Sequence, residues 1–267
     1  MHMPLPPQPR AIGLVNWIGL WTLFRREVQR FLKVYQQTVA APVVTTLLFY
    51  AVFALALGGS LRMVGDVPFL QFLAPGLIMM AMAQNAFANT SSSVIISKVQ
   101  GNIVDVLMPP LSPAELALGY VGGGVCRGLA VGLATALAIS LFVPIGIASA
   151  GYVVYHAVMA SMLLSLLGLI GGIWAEKFDH IAAFTNFLIT PLTFLSGTFY
   201  SVERLPTVFW WVAHANPFFY MIDGFRYGFI GVSDGTRVVG LVLLAATNLA
   251  LWWLVLRMLS TGYKLKP

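Results

Sequence analysis

The chain has 267 residues, 59% of them hydrophobic and 9% charged, with a formal net charge of +6. A soluble domain carries about 25% charged residues; nine acids and fifteen bases cannot clothe a surface for a chain of this length, so composition excludes a soluble globular domain and leaves an integral membrane protein. The single cysteine, Cys126, excludes a disulfide framework, and the four histidines show no metal-ligand spacing.

The first element in chain order is an amphipathic helix over 11–35. Trp17, Trp21, Phe24, Val28, Phe31 and Tyr35 recur every three or four residues, while Arg26, Arg30 and Lys33 take the other face, the pattern of a helix lying in the membrane interface. Two roles are open to it: anchorage on anionic lipid and docking of a soluble partner.

Uncharged runs follow at 34–61, 67–97, 128–175, 181–202 and 238–256, and a helix needs about 20 apolar residues to cross roughly 30 Å of hydrocarbon. The third run is too long for one crossing; it divides at PIGIASAG (144–151), and its first helix extends backward through Arg127. Six spans result, over about 37–58, 69–92, 116–141, 152–174, 181–200 and 238–258. Strands of a membrane barrel would alternate apolar and polar residues, and these runs do not. Ala54-Leu55-Ala56 resembles a cleavage site, but the long lead and the 28-residue uncharged run exceed a signal peptide's proportions. The first span is therefore expected to be retained.

Ten cations (Arg10, Arg25, Arg26, Arg30, Lys33, Lys98, Lys177, Arg257, Lys264, Lys266) fall on the side of the N-terminus, against Arg62, Arg204, Arg226 and Arg237 opposite. The excess of Lys and Arg places both termini in the cytoplasm. It also accounts for the basic balance by attraction to anionic lipid, with no nucleic-acid partner.

Between spans two and three lies SKVQGNIVDVLMPPLSPAE (97–115). Val99, Ile103, Val106 and Leu107 keep helical spacing until Pro109-Pro110, and Ser112-Pro113 then opens span three as cap and first-turn proline. The expected result is a short helix over 97–113 across the cytoplasmic mouth, either a plain connector or a contact for a soluble protein. The link AEKFDH (175–180) is too short to dock much.

Span three carries Gly124, Gly128, Gly132, Ala136 and Ser140 at every fourth position, a second stagger at Gly119 and Gly123, and span four has Gly168 and Gly172. Such stripes let helix backbones approach closely within lipid. Arg127 sits near the middle of span three, where lipid exposure would cost about 2.5–3.5 kcal/mol on insertion scales. It should face protein or water, as an internal pair or as a substrate or gating contact.

The longest outer segment, 201–236, reads as two short helices meeting at Asn216-Pro217, a hairpin able to dip into the outer leaflet if protein shields its elbow. Asp223 and Arg226, one turn apart, are expected to pair there. Twelve of the chain's 34 aromatic residues fall within 194–229, as a belt at headgroup level or as rings lining an exit for an amphipathic or sugar-bearing substrate.

Catalytic signatures are missing: there is no HExxH, no GxSxG and no pair of intramembrane carboxylates. Without GxxxxGK[ST] the chain has no phosphate loop of that type. Only Arg127 is ionisable deep within a span, which leaves an ion-coupled carrier little to work with.

FLAPGLIMM (72–80), NIVDVLMPPLSPAELALGYVGGG (102–124), LTFLSGTFYSVERLP (192–206) and NPFFYMIDGFRYGFIG (216–231), in that order and spacing, resemble the permease subunit of ABC-2 type transporters, the YadH-like bacterial permeases in particular. The resemblance runs nearly end to end. It implies an all-α integral membrane protein of six transmembrane helices, with an N-terminal amphipathic interfacial helix and a re-entrant outer helical hairpin before the last span, forming one domain over 1–267. It further implies a homodimer in the bacterial inner membrane served by two copies of a cytoplasmic ATPase, which would hold the ATP and Mg while this chain, a transport subunit and not an enzyme, binds no cofactor. By the same resemblance Arg25, Arg26, Glu27 and Arg30, with Gly101, Asn102, Asp105, Met108 and Pro109, would meet the ATPase. The family often has an acid directly after the glycine; here Asn102 follows Gly101, and Asp105 is the nearby acid. Tyr50, Phe53, Phe194, Phe199 and Tyr200 would line the path where spans one and five face each other, and Arg127, Asp223 and Arg226 would have structural or gating roles. The implied cargo is an amphipathic lipid, glycolipid or polysaccharide-like molecule moving outward. A drug-like compound is the alternative, and an ion-coupled carrier the more distant one.

Overall fold

The computed structural model describes residues 13–56 and 63–265. Residues 11–12 of the expected interfacial helix, 57–58 of the first span, and Arg10, Arg62 and Lys266 lie outside the described residues. Helix α1 (Trp17–Leu32) is capped by Asn16, whose side chain accepts the Gly19 N–H at 2.9 Å. Leu23, Glu27 and Phe31 form its buried face, and Trp17, Ile18 and Trp21 its exposed one. After a bend, a π-helical turn (Gln36–Ala40) leads into α2 (Ala41–Ala56). A two-residue ladder, β1 (Met63–Val64) with β2 (Val67–Pro68), introduces α3 (Phe69–Val99).

Helix α3 runs through Ser97–Val99, the first part of the expected connector helix. The break comes at Gly101, whose φ of +74° lies in the left-handed region open to glycine. The connector helix is accordingly only α4 (Ile103–Leu107), closed by Pro109-Pro110. Helix α5 (Pro113–Ser140) opens on a capping box: Ser112 Oγ accepts the Glu115 N–H at 3.3 Å and Glu115 accepts the Ser112 N–H at 2.6 Å. Helix α6 (Ala150–Trp174) follows.

The fifth expected span, 181–200, takes a different form. It consists of α7 (Phe178–Phe184), a π-helical turn (Thr185–Ile189) and α8 (Thr190–Phe194), and residues 195–200 are not helical. Seventeen residues reach about 25 Å. Among the described residues five helices are long and apolar enough to cross a membrane, and this broken segment is not one of them. Beyond it come α9 (Thr207–Ala215), α10 (Pro217–Ile230) and α11 (Arg237–Thr261), with Asn216 at the elbow between the first two. Asn216 accepts the Phe218 N–H at 3.0 Å, so the cap and first-turn proline do set this helix start.

Helix α3 is the axis of the bundle, with α5 and α6 packed along it. The small-residue stripes explain how. A β-carbon on Gly124 would strike Ser165 and Thr90, one on Gly128 would lie 2.7 Å from Ser161 Oγ, and one on Gly132 would strike Met82. From the α6 side, Gly172 faces Val94 at 2.9 Å, and Gly168 abuts Thr90 and the Phe87 carbonyl. The stripe ends before Ser140, which is exposed. Leu23, Ile103, Val106, Leu116, Ile173 and Val255 share one core cluster at the end where α1 and α4 meet the bundle. Phe69, Val143, Phe218 and Phe229 belong to the larger one toward the other end.

Candidate functional site

At the α1 end the second glycine stagger of α5 forms the seat for the interfacial helix. A methyl group on Gly119 would come 2.6 Å from Leu23, one on Gly122 3.1 Å from Phe24, and one on Gly123 would collide with Glu27 Cβ. This close approach carries Glu27 to 0% exposure. A buried carboxylate must be paired, and Glu27 accepts from Arg26 and Arg30, each at 3.2 Å, and from Ser93 Oγ at 2.7 Å. Arg30 also donates to the Asn89 carbonyl at 2.5 Å, Asn89 Oδ1 at 3.2 Å and Ser92 Oγ at 3.1 Å. Burial works against the Arg26 charge, but Tyr120 and Glu27 outweigh it and hold its pKa above the ordinary value. Glu27, expected at a partner surface, is thus an internal counter-ion; Arg25 and Arg26 remain exposed and Arg30 is half-buried.

Helix α4 is clamped to the same end by Ile103 and Val106, which enter the core cluster with Leu116 and Ile173. Its opposite face presents Asn102, Val104, Asp105 and Met108, the last 75% exposed, with Gly101 and Pro109 exposed beside it. Nearby, Lys98 donates to the Ile173 and Ala175 carbonyls at 2.7 and 2.5 Å, satisfying the C-terminus of α6.

Arg127, midway along α5, donates Nη2–H to Asn85 Oδ1 of α3 at 2.9 Å. Of the two roles open to it, the internal contact is formed. Sequence reasoning missed its partner, although Asn85, Asn89, Ser92 and Ser93 stand on one helical stripe of an otherwise apolar span, a readable signal.

The expected path residues are only partly brought together. Phe53 stacks on Phe199 (centroids 4.8 Å) and Phe199 on Phe194 (5.5 Å), joining α2 to the turn after α8. The Tyr200 hydroxyl turns back to the Phe194 carbonyl at 3.1 Å. Tyr50 stands apart, buried, donating to the Leu70 carbonyl at 3.2 Å. It lines a cleft of about 520 Å³ with Leu47, Ala51, Leu70, Phe142 and Val143.

Asp223 and Arg226 do not form the expected pair; the ion pairs among the described residues are Arg26–Glu27, Arg30–Glu27 and Lys264–Glu176. Asp223 accepts instead from Ser233 Oγ (2.6 Å) and the N–H groups of Asp234 (2.8 Å) and Gly235 (3.1 Å), closing the loop before α11. Arg226 donates to the Gly197 carbonyl at 2.6 Å and lies 3.8 Å over the Phe72 ring. Both are buried within protein, where unfilled backbone N–H groups and a free carbonyl compete for the charges. Around them the hairpin rings pack on one another, Trp210 on His214 (3.8 Å) and His214 on Phe219 (4.8 Å), while Phe209 and Trp211 stay exposed.

Residues 19–230 match the family model described as ABC-2 type transporter. The chain belongs to the ABC-2 type transporter family. The ABC-2 match begins inside α1 and ends with α10, so it takes in the Glu27 cluster, α4 and both hairpin helices. Among similar ABC-2 chains, the inner membrane transport permease YadH of Escherichia coli K12 is 39% identical over 245 residues, 90% of this chain and 96% of the relative. Nodulation protein J of Neorhizobium galegae is 23% identical over 235 residues, 87% and 88% of the two chains.

Proposed function

We propose that this chain is the transmembrane subunit of an ATP-driven exporter in the bacterial inner membrane, working as a homodimer with two copies of a separate ATPase that holds ATP and Mg. The observation that carries the reading is α4: a short helix pinned to the ends of the long helices by Ile103 and Val106, with Val104, Asp105 and Met108 turned outward. A rigid tab of this kind converts a push from a soluble partner into movement of α3 and α5, whose ends it joins. Arg25 and Arg26 on the exposed side of α1 extend the same docking surface. The broken segment from Phe178 to Phe194 supplies the sixth crossing, both termini are cytoplasmic, and the α9–α10 hairpin enters the outer leaflet. The cargo is an amphipathic lipid, glycolipid or polysaccharide-like molecule passing the stacked rings of Phe53, Phe194 and Phe199. The name of the Escherichia coli relative, an inner membrane transport permease, supports the transport role and the membrane.

The test is purification of the tagged chain from its native host in mild detergent, with mass spectrometry of what accompanies it. A soluble protein carrying a phosphate-binding loop in equal copy number, and ATP hydrolysis by the complex, is the expected result. A clean homo-oligomer without such a protein, under conditions that preserve a known transporter complex, overturns the reading.

A further inference from the structure

The region where α1 reaches α3 and α5 holds more positive charge than its structure uses. Arg26 and Arg30 share a single carboxylate, Glu27, while Arg127, one helical turn along α5 from the Gly123 that receives Glu27, has only the neutral Asn85 as partner. Donors outnumber acceptors as well: Arg30 Nε, Asn89 Nδ2 and Arg127 Nε are buried and donate to nothing among the described residues. Buried donors and unbalanced cations are costly in a low-dielectric setting. A bound anion would answer both deficits at once.

Two cavities adjoin this cluster, the first reaching Arg30 and the second reaching Asn85, so that Arg127 and Asn89 lie behind their walls. One, of about 510 Å³, is lined by Arg26, Glu27, Arg30, Lys33, Ser93 and Ser97. The other, of about 350 Å³, lies between α2 and α3 and carries Gln37, Thr45, Thr46, Gln84 and Asn85, the residue that holds Arg127. They flank the bend where α1 becomes α2, so cations and polar groups run from the interfacial helix toward the middle of the long helices. Beside them the apolar flank of α2 is exposed at Val44, Leu48 and Val52.

The geometry points to a binding site for a net-anionic phosphate ester, seated on Arg30, Arg127 and Asn89 with its apolar part along α2. Arginine suits this role because its planar fork offers several donors to phosphate oxygens. Resting on the export reading above, the site makes the cargo an anionic amphiphile; the binding itself requires neither transport nor the ATPase.

The experiment measures binding of fluorescent phosphatidylglycerol to the full-length chain in maltoside micelles, against phosphatidylcholine with the same acyl chains. A preference of roughly thirtyfold for the anionic lipid is expected, about what two surface cations contribute, and it should fall as salt rises. R127Q should erase most of the preference and R127K retain it. E27Q, which removes the competing acid while keeping its shape, should strengthen it. Opposite signs for R127Q and E27Q are the decisive result, since mere loosening of the cluster would weaken both. Equal binding of the two lipids by the unaltered chain, or both variants moving in one direction, overturns the proposal. Displacement of the lipid by millimolar glycerol 3-phosphate assigns the site to phosphate esters at large; a preserved lipid preference without displacement assigns it to a lipid headgroup. Absence of an ATPase partner would sink the export reading and leave these binding results standing, whereas loss of the anionic preference in a chain that still assembles with its ATPase would sink only this site.

Discussion

The span Gln36–Ala56, which joins the π-helical turn to α2, and helix α3 are both apolar and both long enough to cross a bilayer, yet the chain surrounds them differently. Within their most apolar stretches 78% of α3 is buried by the protein itself, against 11% of the Gln36–Ala56 span. Helix α3 can therefore carry Asn85, Asn89, Thr90, Ser91 and Ser93 inward, because its neighbours supply acceptors such as the Ser165 carbonyl, 2.8 Å from Thr90 Oγ1. Helix α2 turns Val44, Leu48, Phe49, Val52 and Leu55 outward and has little to hold it in place but α3 and α5. The segment from Phe178 to Phe194 behaves like α2, with Phe187 85% exposed. The difference teaches that apolar length fixes membrane residence, whereas buried polar groups and glycines fix which helix forms the axis.

The comparison can be broken most severely at the axis. Replacing Glu27 by Ala removes carboxylate, acceptor and packing together, leaving half-buried Arg30 and buried Ser93 without the group they share, and we expect a loss of about 3–5 kcal/mol, read as early thermal unfolding in detergent and detachment of α1. Unchanged unfolding would mean that the cluster is not what seats α1. Gly168→Val, which places a side chain against Thr90 and the Phe87 carbonyl, should cost about 1–3 kcal/mol or more in the same assay and wedge α3 from α6. On the α2 side the effects move from stability to function. Phe194→Ala with Tyr200→Ala should cut transport while leaving partner-stimulated ATP hydrolysis and unfolding temperature largely intact; full transport by the double variant would remove these rings from the path. Leu48→Ala and Val52→Ala should change the unfolding of the isolated chain by no more than about 0.5 kcal/mol, and any loss they cause should show instead as weaker self-association in crosslinking.

The smallest effect concerns the C-terminal clasp, in which Lys264 bonds Glu176 at 2.8 Å. That hydrogen bond and charge hold the Glu176 pKa below its ordinary 4.5. A depressed carboxylate contributes above its unfolded pKa and loses its contribution as pH falls through the folded one. Amide exchange in the last residues should therefore quicken only in strongly acid buffer, and equal exchange at neutral and acid pH, corrected for intrinsic rates, would show the clasp to be idle.

Much of the helical order was legible because its causes are local. Apolar runs, Ser112-Pro113, Asn216-Pro217 and the glycine stripes each act through neighbours one turn away. The fate of the charges was not. Asp223 and Arg226 stand one turn apart, which suggested a pair, but a loop eleven residues on and the Gly197 carbonyl made stronger claims on them. Glu27 looked like part of a solvated basic face, until Gly119, Gly122 and Gly123 let α1 sink far enough to bury it. The fifth span was read from hydropathy as a single helix, and hydropathy does not register a π-turn that breaks it after Phe184.

The sequence by itself determined a helical membrane protein of the ABC-2 type, since apolar length, caps and motif order are written in consecutive residues. Only the tertiary structure decided that Arg127 answers Asn85, that α3 is the axis and α2 the open flank, and that cations gather around one acid. Those outcomes depend on residues tens of positions apart arriving at the same few ångströms, where each charge goes to the partner that best replaces the water it has lost.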